Sequence, residues 1–103
     1  MPGHIYLIRE REHIRMAEPI YKLGKTEQEG LKRSTQYPKD SVIEIHLRVD
    51  YCHIMERELI AQFKREFKPR PDIGAEYFEG DRNLMILAIC GYNQMTNMDM
   101  PTI

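Results

Sequence analysis

Apolar positions recur along this chain at two spacings, and each spacing predicts a kind of element. Residues 4–8, His4-Ile5-Tyr6-Leu7-Ile8, are β-branched and aromatic and predict a first strand, with Tyr6 on the face opposite Ile5 and Leu7. Residues 9–18 open on consecutive charges and hold Ile14 and Met16 as their large apolar side chains, so they predict a charged, solvated loop. Pro19 then admits a second strand over 20–23, which makes a long-looped hairpin. Residues 29–37 carry helix formers and basic side chains and stop at Pro38, because the residue before a proline is driven out of the helical region. The cleanest alternation lies in 41–49, where Ile43, Ile45, Leu47 and Val49 alternate with Val42, Glu44, His46 and Arg48. This is the pattern of a strand with one wetter face.

Asp50 is placed to cap a long helix over 51–67, ended by Lys68-Pro69-Arg70-Pro71. At about 100° per residue, Tyr51, Cys52, Met55, Leu59, Ile60, Phe63 and Phe67 form one apolar arc of this helix. Glu56 falls inside the arc, between Phe63 and Phe67 in angle. A carboxylate there costs free energy unless it meets a cation, a metal or several donors. Glu56 is therefore a functional group, a member of a structural ion pair with a nearby Arg, or a rim residue of a rotated helix. Residues 72–81 carry turn signals at Gly74 and Gly80 around Tyr77 and Phe78, which are expected to plug the core. Asp81 caps a final helix whose apolar face holds Leu84, Met85, Leu87, Ala88 and Tyr92, with Gly91 as its weak point. The element order predicts an α+β fold, a small three-stranded antiparallel sheet flanked by helices.

Length and charge narrow the functions open to such a fold. At 103 residues the chain suits a single domain over 1–93, followed by a weakly ordered tail over 94–103 that contains Pro101. A formal net charge of −1 excludes the bulk positive field of a protein that holds nucleic acid by counterion release alone. Any such role needs a local basic patch; Lys64, Arg65, Lys68 and Arg70 are the densest cluster, on a wet helix end. Cys52 and Cys90 lack CxxC spacing and are expected to be free core thiols. His4, His13, His46 and His53 lack metal-ligand spacing and are expected at surface or boundary positions. With no signal-like or membrane-spanning apolar run, the protein is expected to be soluble and intracellular.

The stretch Tyr21-Lys22-Leu23-Gly24-Lys25-Thr26, followed by Leu31-Lys32-Arg33 and Tyr37, places cations at a strand end and on the helix that follows. Such a junction suits gripping a phosphate, and equally suits an ordinary turn with solvated charges.

Five places, in order, resemble the GIY-YIG nuclease superfamily, in the branch of phages and large DNA viruses whose second signature reads Tyr-Lys-Ile-Gly-(Lys/Arg)-Thr. The resemblance spans Gly3 to Asp81. Gly3-His4-Ile5-Tyr6 resembles the first signature and Tyr21-Lys22-Leu23-Gly24-Lys25-Thr26 the second. Leu31-Lys32-Arg33 with Tyr37 resembles the first-helix motif, and Met55-Glu56-Arg57-Glu58-Leu59-Ile60 the segment of the metal-binding glutamate, which selects Glu56. Glu76-Tyr77-Phe78 resembles the closing block of this branch. The chain departs from the wider family at Lys22, which stands where the second signature has its tyrosine, with Tyr21 one place earlier and facing the other way. A His replaces the Gly before Ile5, the terminal asparagine common in the wider family is not evident after Phe67, and Lys32 rivals Arg33 in spacing.

The resemblance implies a metal-dependent endonuclease that hydrolyses phosphodiester bonds in DNA, with RNA also open as a substrate. It implies one Mg²⁺ or Mn²⁺ held by Glu56, phosphate neutralised by Arg33 and Lys25, and an attacking water oriented by Tyr6. Lys22, Tyr21, Lys32, Tyr37 and Glu76 complete the surroundings of the substrate phosphate. The branch implies a viral or phage source and, for a virus, the host cytoplasm or nucleus. Low charge implies that a homodimer or protein partner adds DNA affinity. The alternative expectation is a catalytically decayed module of the same fold that binds nucleic acid or a protein.

Overall fold

A strand with one apolar face needs a cover for that face, and the long helices of this chain supply it. The computed structural model describes residues 2–26 and 39–98. Its elements are β1 (Gly3–Arg9), α1 (Arg11–Arg15), β2 (Ile20–Thr26), β3 (Val42–Val49), α2 (Cys52–Glu66), β4 (Lys68–Pro69), β5 (Tyr77–Glu79) and α3 (Arg82–Met98). The helix predicted over 29–37 lies outside the described residues. No helix among the described residues is long and apolar enough to cross a membrane.

The fold is α+β, as predicted, but the sheet has five strands in the order β3-β1-β2-β5-β4, all antiparallel, where three were expected. The two extra strands are two and three residues long, too short for alternation to register. β4 ends the sheet, where Pro69 costs no ladder hydrogen bond.

Register assigns the faces. Ile5 stands opposite Lys25 and Leu47, and Leu7 opposite Leu23 and Ile45. Ile5, Leu7, Leu23 and Val49 join Cys52, Met55, Leu59 and Phe63 of α2, and Met85 and Ile89 of α3, in one core. Phe63 meets the rings of Phe67 and Phe78 edge-on at 4.8 and 5.3 Å. Burying a side chain of this class is worth about 1.5–3 kcal/mol, so this face dominates stability.

The second sheet face is also covered, contrary to the solvated loop expected over 9–18. Tyr6, Ile8 and Ile20 are buried there. Helix α1 forms inside the charged stretch and buries His13, whose ring lies 6.3 Å from that of Tyr77. His13 is thus a packed residue, not the surface or boundary one expected. Tyr77 is half-buried, and its hydroxyl donates to Glu10 at 2.9 Å. Phe78 fills the core as predicted.

Other expectations move by a turn or a face. Tyr51 takes the N-cap position of α2 in place of Asp50 and makes no side-chain cap hydrogen bond; it is exposed, and the Asp50 carboxylate lies 3.6 Å from Arg48. Asp81 does cap α3, accepting from Leu84 N at 3.0 Å. That helix turns Met85 and Ile89 inward, leaving Leu84 and Leu87 exposed. Arg82 pairs with Glu44, at the β3 irregularity where the register shifts between Leu7 and Ile8. Cys52 is a core thiol, whereas Cys90 is exposed.

Candidate active site

Lys25 occupies the last turn-out of β2 before the sheet ends. It follows Leu23 by two residues and stands opposite Ile5, so its side chain leaves the sheet on the face that α2 covers. β5 pairs with β2 at Ile20, Tyr21 and Lys22, and Leu23 N donates to the Glu76 carbonyl at 2.9 Å. Gly24, Lys25 and Thr26 therefore run past the end of β5.

Helix α2 enters over the same end. A Cβ on Gly3 would lie 2.6 Å from Cys52 Sγ, so this glycine lets the first turn of α2 settle on β1. Glu56 is one turn beyond Cys52 and next to buried Met55, which aims it down the covered side toward Lys25. Lys25 Nζ donates to Glu56 Oε1 at 3.0 Å, with the side chains 31% and 14% exposed. The other carboxylate oxygen, Oε2, is enclosed and has no hydrogen-bond partner among the described residues. The hydrogen bond to Glu56 raises the Lys25 pKa above its ordinary 10.5; burial opposes this, and the Glu56 and Glu76 charges add to it. The ammonium is thus firmly charged at neutral pH.

The pair resolves the ambiguity at Glu56 in part. The acid in the apolar arc does meet a cation, and its partner is Lys25 on the sheet, where an Arg was expected.

The structure does not bring Tyr6, Tyr21 or Lys22 to this pair. Tyr6 lies on the second sheet face, 1% exposed, directly over Gly24. Tyr21 is buried in the core, with the Arg9 guanidinium 5.6 Å from its ring centre. Lys22 is on the second face, 5.9 Å from the centre of the Tyr77 ring. Glu76 acts on Lys25 through its charge. Lys32, Arg33 and Tyr37 lie outside the described residues.

A second cluster escaped the sequence. His4 and His46 stack across β1 and β3 with ring centres 4.8 Å apart and planes 14° from parallel. Burial, and then the neighbouring His4, lower the His46 pKa below 6.5. The only available sign was that His46 occupies the wetter face of its strand.

A divalent cation fits the Glu56 site in kind. Carboxylate oxygen suits a hard ion, and Oε2 is a buried acceptor without a donor among the described residues. No group of three His, Cys, Asp or Glu side chains converges among the described residues.

Compared with protein-family models, curated proteins and solved structures, the chain matches none of them.

Proposed function

We propose that this protein is a metal-dependent endonuclease of the GIY-YIG type, hydrolysing phosphodiester bonds in DNA with Glu56 as the cation ligand and Lys25 as a phosphate contact. The observation that supports it is the Lys25–Glu56 pair: an acid set in the apolar stripe of α2, held 3.0 Å from a cation near the end of β2, with its second oxygen unpartnered among the described residues.

Each residue then has a task. Glu56 supplies the negative charge that retains one Mg²⁺ or Mn²⁺. Lys25 neutralises a non-bridging oxygen of the scissile phosphate, and Arg33, on the resemblance to the first-helix motif, neutralises another; fixed cations serve best in a partly dry site. When bound, the metal ion stabilises charge on the phosphorus centre and the leaving oxygen. Tyr6 acts from the second face, holding the Gly24 backbone and so the root of Lys25.

The test is cleavage of labelled plasmid, single-stranded and branched DNA with Mg²⁺ or Mn²⁺ by the parent, Glu56→Ala and Arg33→Ala. Cleavage by the parent and its loss in both folded variants is the expected result. Equal cleavage by all of them would overturn the assignment.

A second reading, a non-catalytic module that binds nucleic acid or a protein, draws on the buried position of Tyr6, away from the pair. It predicts DNA retention without cleavage on any of these substrates.

A further inference from the structure

The same contact that supports the proposed site also obstructs it. Glu56 Oε2 is enclosed, and Oε1 is engaged by Lys25 Nζ at 3.0 Å, so the ammonium occupies the oxygen that a hydrated dication would have to reach. A dication brought beside that ammonium is repelled by it as well, and the repulsion grows as water is excluded. Lys25 nevertheless has room to leave. Its side chain is 31% exposed, against 14% for Glu56, and a lysine carries a flexible stem with rotatable donors. The backbone from Gly24 to Thr26 stands beyond the end of β5. The natural competitor for the ammonium is another oxyanion, and a phosphodiester supplies one.

We propose that Lys25 is an exchangeable plug on the Glu56 carboxylate, drawn off by the phosphate of a bound nucleic acid, so that the cation gains Glu56 only after substrate has arrived. The proposal rests on Glu56 being the cation ligand. Ordered loading follows: without DNA the protein holds metal weakly, and DNA and metal strengthen each other's binding, since such coupling is reciprocal.

The experiment measures Mn²⁺ binding by the electron-spin-resonance signal of the free ion, without nucleic acid, for the parent, Lys25→Met, Lys25→Arg and Lys25→Met/Glu56→Gln, each checked by circular dichroism. Lys25→Gln replaces Lys25→Met if the latter does not fold. The plug predicts that the uncharged variant binds Mn²⁺ about tenfold or more tightly than the parent. Lys25→Arg should stay near the parent, and the double variant should lose the gain. A parent that already binds as tightly as Lys25→Met, with binding removed by Glu56→Gln, would overturn the plug while leaving Glu56 as the ligand. No Glu56-dependent binding in any variant would overturn both. In a second arm, fluorescence anisotropy of a labelled duplex is read with and without Ca²⁺. The parent should bind DNA several-fold more tightly with the ion, and Lys25→Met, which keeps only the direct attraction between ion and phosphate, should gain less; a gain as large in Lys25→Met as in the parent would overturn the exchange.

Discussion

Tyr6 and Gly24 face each other across β1 and β2, and a Cβ on Gly24 would press on the ring end and hydroxyl of Tyr6, standing 2.9 Å from Cε1. The ring is buried and cannot swing into solvent, so Gly24 is required for the close approach. Gly24→Ala is expected to destabilise the fold by about 1–3 kcal/mol, the usual cost of overpacking, read as a lower urea midpoint. Tyr6→Leu should cost less in the Gly24→Ala background than in the parent. Strict additivity in this double-mutant cycle would show that the two residues do not collide.

The Lys25–Glu56 pair makes a separate prediction about stability. Lys25→Met strands a carboxylate that is 14% exposed and should cost about 1–3 kcal/mol. Glu56→Gln in the same chain removes the stranded charge and should recover part of that loss. Because the folded Lys25 pKa is raised above 10.5, the pair's contribution is full below 10.5 and is lost as pH rises through the folded value. As pH rises from neutral, the difference between parent and Lys25→Met should therefore stay flat and shrink in strong alkali. A difference that already shrinks at neutral pH would contradict this.

Tyr77 links the second face to α1 through Glu10. Burial first, then the hydrogen bond to Glu10, raises the Tyr77 pKa well above 10.0. Above pH 10.0 the unfolded chain loses this proton while the folded chain keeps it, so stability falls as pH rises. Tyr77→Phe should cost about 1 kcal/mol at neutral pH and flatten the alkaline side of the stability profile. Parallel profiles for parent and variant would remove Tyr77 from this role.

The His4–His46 stack gives the opposite sign. The His46 pKa is lowered from 6.5 by burial and by His4, so the folded chain resists a proton that the unfolded chain accepts. Stability from this site is complete above 6.5 and is lost as pH falls below it. A proton-NMR titration should place the His46 midpoint below 6.5, and His46→Gln should lessen the acid-side loss. A midpoint at or above 6.5 would rule out the effect.

Much of the scaffold was legible because its cause is local. The alternation in β1 put Tyr6 opposite Ile5 and Leu7, and the structure keeps it there. The helical arc marked Glu56 among Met55, Leu59 and Phe63, and these three are core residues. Asp81 was visible as a cap because its partner is three residues away. In contrast, His13 and Tyr77 were misjudged for want of any local sign that a charged loop folds back on β5.

The sequence by itself determined which face of each long element is apolar and which polar residues interrupt those faces, since backbone geometry imposes that period within a few residues. Only the tertiary structure decided that Lys25 meets Glu56, 31 residues away, while Tyr6 is turned to the other side. That pairing depends on strand order, on β5 stopping short of Lys25, and on Gly3 letting α2 settle onto the sheet. Contacts between distant segments set all of these, and no periodicity encodes them.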